Sequence, residues 1–116
     1  MDVVNVDGAS IPKLGFGTFP LKDDDARRMV AHALSAGYRH IDTAQMYGNE
    51  SEVGEAIANA SIQREDIFLT TKVWPDNFGD GPLQKSVEES LVKLRVDAVD
   101  LLLLHWPKFD RPLDET

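Results

Sequence analysis

The sequence predicts an α/β protein built on a parallel sheet, on three observations. Short β-prone runs alternate with segments of helical apolar spacing along the chain. Strict β-α-β alternation implies parallel strands joined by right-handed helical crossovers. The last run, Val99 to His105, is almost continuously apolar, which suits a strand covered on both faces by outer helices.

The elements follow in order. Asp7-Gly8 sits between two short β-prone runs within residues 3–12 and reads as a hairpin turn. Pro12 keeps the second arm from being a central strand. Leu14 to Phe19 reads as a short strand whose glycines admit close approach to the backbone. Asp23, Asp24 and Asp25 favour the positive end of a helix starting there. Ala26, Met29, Val30, Ala33 and Leu34 make its apolar stripe, and Gly37 stops it at C′. Tyr38 to Asp42 is the second strand. Asn49 with Glu52 resembles a capping box opening a second helix, with Val53, Ala56, Ile57 and Ala60 as its buried side. Ile67 to Lys72 is the third strand. Gly79 to Pro82 is a loop whose proline suits a first helical turn. Leu83, Val87, Leu91 and Leu94 then recur at helical spacing, and Val99 to His105 is the fourth strand.

Composition narrows the function classes. The 116 residues make one domain at most, and 42% hydrophobic with 28% charged residues is ordinary for a globular protein. The absence of cysteine removes disulfides, thiol nucleophiles and thiolate metal sites together. With 12 basic and 20 acidic residues, net charge −8, no basic stripe exists to neutralise phosphates, so no nucleic-acid partner is expected. The N-terminus lacks the pattern of a signal peptide, and the apolar run Leu101 to Leu104 is too short to span a bilayer. A soluble, cytoplasmic protein without a membrane partner is expected.

Three polar residues stand where the three later strands stop: Asp42, Lys72 and His105. In a parallel array all strand C-termini share one face, so these residues converge there, on the face where α/β folds place their chemistry. Tyr47 lies in the loop on that face. A lysine ammonium beside a tyrosine hydroxyl favours the phenolate, and an aspartate holds the lysine charged and oriented. The tyrosine can then act as a general acid toward an oxygen, and a histidine can orient that oxygen. The set suits protonation of a carbonyl oxygen as hydride reaches carbon, and calls for no metal. Taken singly, each residue reads more readily as a cap, a solvated charge or a packing group. Jointly those readings lose ground, because charged groups at the buried ends of apolar strands are costly without partners. Phe19, Trp74 and Trp106 also follow strand ends, as pocket walls or local packing. His40, inside a strand, reads as structural, and His32 as a surface residue. Gly15-Phe-Gly17 makes no dinucleotide fingerprint.

These residues resemble the aldo-keto reductase family. Gly37-Tyr-Arg-His-Ile-Asp-Thr-Ala44, followed by Tyr47, Gly48-Asn49-Glu50 and Val53-Gly54, is similar to its first signature. Thr71 to Pro75 and Leu104 to Pro107 resemble its next two blocks, and Leu14 to Thr18 its first barrel strand. The nearest likeness is to the bacterial 2,5-diketo-gluconate reductase group.

The resemblance implies a (β/α)8 TIM barrel, the hairpin closing its bottom, and NADPH-dependent reduction of small aldehydes and ketones. Asp42, Tyr47, Lys72 and His105 match the family's catalytic tetrad. Gly17, Thr18 and Asp42 match positions that touch the nicotinamide end of the cofactor, while Phe19, Tyr47, Trp74, His105 and Trp106 match the substrate pocket. The chain then divides into a hairpin at 1–12, βα units at 13–98, and a fourth strand and loop at 99–116. The family's remaining strands, its Gly-x-Ser-Asn segment and its basic 2′-phosphate segment have no counterpart in this sequence. The resemblance thus implies an N-terminal portion of the barrel, with four strands and three helices. Alone, that portion is expected to lack tight NADPH binding and turnover and to self-associate through open strand edges, although full-length members are often monomeric. The competing expectation is a non-catalytic half-barrel that assembles with itself or another chain.

Overall fold

Asp7 and Gly8 both take positive φ, 47° and 82°, the type I′ geometry whose twist matches a two-residue hairpin. They join β1 (Val3–Val6) to β2 (Ala9–Pro12), antiparallel with Val6 opposite Ala9. A computed structural model describes residues 2–108 of the chain. The portion of the expected final loop at 109–116 lies outside the described residues.

Beyond the hairpin, β3 (Phe16–Gly17), β4 (His40–Asp42), β5 (Phe68–Val73) and β6 (Leu101–Leu104) form a parallel sheet in chain order. Its crossovers carry α1 (Asp23–Ser35), α2 (Glu50–Asn59) and α3 (Pro82–Leu94). The alternation read from the sequence is therefore the observed order. β3, β4 and β6 are shorter than the runs read from the sequence, most of all β3, whereas β5 keeps its six residues, displaced by one.

α1 ends as its sequence predicts. Gly37 has φ 111°, and the N–H groups of Gly37 and Tyr38 return to the carbonyls of Leu34 and Ala33, at 3.2 and 3.0 Å. That pair of bonds is a Schellman stop. Ala26, Val30, Ala33 and Leu34 are buried, whereas Met29 lies at the exposed margin of the stripe. The core joins Val30 and Leu34 to Ile41, Val53, Ala56, Ile57, Ile67, Leu69 and Leu94. Each large aliphatic side chain there contributes about 1.5–3 kcal/mol by leaving water.

Three sequence expectations need correction, at Asn49, Ala60 and β6, and the reading of α3 gains its inward face. Asn49 stands at the N-cap of α2, but its side chain makes no capping bond. It is fully buried and spends its amide elsewhere. Ala60 lies at the C-cap of α2 and is only partly buried. In α3 the buried positions are Ser86, Ser90 and Leu94, while Leu83, Val87 and Leu91 are half-buried. The helix turns its small polar residues inward because they meet a hydrogen-bonded cluster rather than aliphatic groups. Last, β6 is not covered on both faces. It is an edge strand, and Leu102, Leu103 and Leu104 are 38%, 40% and 46% exposed. No helix among the described residues follows β6 to cover it.

Candidate active site

Parallel register decides what meets at the top of the sheet. Gly17 pairs with Asp42, Asp42 with Thr70, and Lys72 with Leu103. The ladder runs one residue past three strands: Thr18 N–H donates to the Asp42 carbonyl (3.0 Å), Thr43 N–H to Thr70 (2.9 Å) and His105 N–H to Val73 (3.0 Å). These bonds fix the backbone at each strand end, so the side chains leave the sheet from set positions.

Lys72 is the centre of the cluster. Its ammonium donates to Asp42 Oδ1, to the Thr43 carbonyl (3.1 Å) and to Tyr47 Oη (3.1 Å). An ammonium has three hydrogens, and all are used. The lysine side chain is only 13% exposed, so removing Asp42 would leave a largely desolvated charge without its counter-ion. Tyr47 Oη accepts from the lysine and keeps its own hydrogen for another acceptor.

Tyr47 ends a 3₁₀ turn, Gln45–Tyr47, that follows β4. Lys22 donates to its carbonyl, and Phe19 packs against its ring at 5.2 Å between centroids. His105 stands edge-on to Tyr47 (5.7 Å) and to Trp74 (5.4 Å), and stacks with Trp106 (6.1 Å, 12°). Its Nδ1 is buried and has no hydrogen-bond partner among the described residues. Burial, and then the Lys72 ammonium, hold the His105 imidazole below its ordinary pKa, while Asp42 pulls the other way.

The three strand-end residues Asp42, Lys72 and His105 therefore converge with Tyr47 of the turn, and Phe19, Trp74 and Trp106 surround them. Phe19 and Trp106 are 59% and 60% exposed and make open rather than enclosed walls. His40 is set apart from the cluster. Its Nδ1 meets the Pro12 carbonyl (3.3 Å) and its Nε2 meets Thr70 Oγ1 (3.0 Å). A carbonyl only accepts, so Nδ1 carries the hydrogen and Nε2 accepts from the threonine. Its ring also packs within reach of Gly15, where a Cβ would come 3.2 Å from Nδ1. His32 is exposed on α1.

Gly17 and Thr18 stand beside Asp42. A Cβ on Gly17 would meet nothing within 4 Å. Thr18 Oγ1 is buried and unpartnered among the described residues. A cleft of about 490 Å³ runs from Gly17 and Asp42 down to Ile11 and Lys13 of the hairpin side. A separate concavity of about 420 Å³ between α1 and α2, touching Arg27, Leu34 and Ala56, lies on the outer side and holds none of the clustered groups.

Two further groups brace the site. Asn49 donates to the carbonyls of Thr18 (3.2 Å) and Leu21 (3.0 Å) and accepts from Thr43 Oγ1 (2.6 Å), tying the β3–α1 loop to the end of β4. Glu50, also buried, accepts from Thr71 Oγ1 (2.7 Å) and Ser90 Oγ (3.2 Å), tying α2 to β5 and α3. Sequence reading placed both residues in a signature but assigned neither this role.

Residues 13–116 match the model of the aldo/keto reductase family. The chain belongs to the aldo/keto reductase family. It is 51% identical over 106 residues to methylglyoxal reductase DkgB of Escherichia coli O157:H7, covering 91% of this chain and 39% of that protein. It is 47% identical over 100 residues to glycerol 2-dehydrogenase (NADP(+)) of Saccharomyces cerevisiae, covering 86% of this chain and 31% of the other. Among solved structures, a candidate 2,5-diketo-D-gluconic acid reductase B superposes with a TM-score of 0.94 at 56% identity, over 99% of this chain and 41% of that one. An aldo/keto reductase from Brucella melitensis follows at 0.87 and 51% identity, over 92% and 42%. The chain thus spans about two fifths of the length of those two structures. Its four-stranded parallel sheet is the corresponding part of the reductase TIM barrel.

Proposed function

We propose that the protein is an oxidoreductase that reduces small aldehydes or ketones to alcohols with NADPH, of the diketo-gluconate or small-aldehyde type, through Asp42, Tyr47, Lys72 and His105. The observation that carries this reading is the direction of the Lys72–Tyr47 bond. The ammonium donates to Tyr47 Oη, so the phenolic hydrogen is left to face a substrate oxygen.

The residues present suit the nicotinamide end of such a cofactor. Among the described residues, Gly17 leaves open space, and Thr18 offers a buried hydroxyl without a partner next to Asp42. Gly17, Thr18 and Asp42 are the groups we assign to that contact. Bound NADPH supplies the hydride that reaches the carbonyl carbon. Tyr47 gives its proton to the carbonyl oxygen as that oxygen gains charge. The Lys72 ammonium lies at 3.1 Å from the phenolate that remains and stabilises it. Asp42 accepts from the lysine and keeps it aimed at the tyrosine. His105, held below its ordinary pKa, is neutral near pH 7, and a ring N–H of its neutral form orients the carbonyl. Phe19, Trp74 and Trp106 serve as apolar walls for a small substrate.

Tyr47→Phe tests the reading in the full-length protein. It removes the proton donor alone, so carbonyl reduction falls by about 10²- to 10⁴-fold while NADPH Kd stays within about twofold. Unchanged turnover would sink the assignment.

The exposed edge of β6, with Leu102, Leu103 and Leu104 open to solvent, favours a second reading in which this part of the barrel pairs with itself or another chain. Light scattering of the purified 116-residue chain separates the two: a discrete, stable assembly without NADPH binding supports pairing.

A further inference from the structure

Gln45 opens the 3₁₀ turn that ends in Tyr47, and its carboxamide makes four hydrogen bonds. Oε1 accepts from the backbone N–H of Trp74 (3.0 Å) and from Asn77 Nδ2 (2.9 Å). Nε2 donates to Ser86 Oγ (3.1 Å) and Ser90 Oγ (3.2 Å). A carboxamide has two donors and two acceptor sites, so its capacity is filled.

The polarity of this set is forced. The Trp74 N–H only donates, so the oxygen of Gln45 faces it. Ser86 spends its hydrogen on the Leu83 carbonyl (2.9 Å), and Ser90 spends its own on the Glu50 carboxylate (3.2 Å). Both serine oxygens can then only accept, and Nε2 supplies what they need. One side chain thus locks the turn that presents Tyr47 to the loop after β5 and to α3.

That lock stands between two distances that the proposed chemistry uses. Lys72 is two residues before Trp74, whose N–H Gln45 holds just past the end of β5, and Tyr47 is two residues after Gln45. The 3.1 Å Lys72–Tyr47 bond and the 5.4 Å Trp74–His105 contact therefore both depend on how the turn sits against the end of β5. Resting on the carbonyl-reductase reading above, we infer that Gln45 is a positioning residue that sets Tyr47 against Lys72 and holds the Trp74 wall, without touching substrate itself.

The test is Gln45→Met in the full-length protein, which keeps volume and removes all four bonds. A displacement on the order of 1 Å at a reacting group can cost 10²-fold. The expected result is a fall in kcat of about 10- to 100-fold, a severalfold rise in KM for the carbonyl substrate, a larger solvent deuterium isotope effect on kcat, and unchanged NADPH Kd. Wild-type kcat, KM and isotope effect in a folded variant overturn the inference, even if the melting temperature drops, because a merely structural residue would move stability alone. If Gln45→Met does not fold, Asn77→Ala replaces it. That change deletes one partner of Oε1, and a severalfold loss of kcat with the same rise in isotope effect is expected, whereas no change in either overturns the inference. Tyr47→Phe runs beside both. Inactive Tyr47→Phe with unaltered Gln45→Met refutes the positioning role alone. Active Tyr47→Phe refutes the catalytic reading and the positioning role together.

Discussion

Lys72 Nζ donates to Tyr47 Oη at 3.1 Å, and the same nitrogen is tied to Asp42 and to the Thr43 carbonyl. The lysine thus has no freedom to rotate its charge away from the tyrosine. Lys72→Met should leave Tyr47 Oη without its donor and the Asp42 carboxylate without its cation. We expect carbonyl reduction to fall at least about 100-fold, the order associated with a positioned proton donor. Lys72→Arg should not rescue it, because a planar fork cannot meet three acceptors arranged around one nitrogen. Steady-state kinetics of the two variants checks both statements, and an arginine variant near wild-type rate contradicts the second.

His105 makes stability depend on pH. Its folded pKa is depressed, by burial first and by Lys72 second, so the unfolded chain binds a proton more readily. Stability contributed by the neutral ring is fully present above about pH 6.5, the unfolded value. It is lost as pH falls from there toward the lower folded value. Urea denaturation of the wild type at pH 7.5 and at pH 5 should show the loss, and His105→Gln should show a smaller one. An equal pH dependence in the variant would place the titration elsewhere.

Much of this site could be read from spacing alone, and the physical reason is narrow. Asp42, Lys72 and His105 each end a β-prone run, and parallel order brings every such end to one face. Knowing the period was enough to gather them. Gln45, Asn49, Ser86 and Ser90 left no comparable signal, since which partner a polar side chain chooses depends on where three separate elements arrive. The spacing of Leu83, Val87 and Leu91 marked a stripe correctly but not which side of α3 meets the sheet. Leu94 faces inward with the serines because it extends their row of i, i+4 positions, Ser86, Ser90 and Leu94.

Asn49 offers a direct check on that hidden layer. Its two amide hydrogens go to the Thr18 and Leu21 carbonyls in a fully buried place. Asn49→Asp would set a carboxylate against those two acceptors. We expect a loss of roughly 3 kcal/mol or more, against about 1–2 for Asn49→Ser, which is too short to reach both but adds no charge. The spread between the two variants in denaturant midpoint is the decisive quantity. A tolerated aspartate would show that the carbonyls find other donors.

Gly54 faces the backbone of Leu94, where a Cβ would come within 2.6 Å of Leu94 Cα, C and O. Alanine normally gains about 0.8–1 kcal/mol over glycine inside a helix. Here the gain is overruled, because atoms at that distance force α2 and α3 apart and open the core around Val53 and Leu94. Overpacking of this kind costs about 1–3 kcal/mol, so Gly54→Ala should lower the denaturant midpoint despite its better propensity. The obstacle is backbone, so shortening the neighbouring side chain cannot relieve it. Leu94→Ala, which empties a fully buried position at about 2–5 kcal/mol, should therefore add to the Gly54→Ala loss rather than offset it. A double variant more stable than Leu94→Ala alone would mean that the two helices are free to separate, and that their close approach is not what demands glycine at this position.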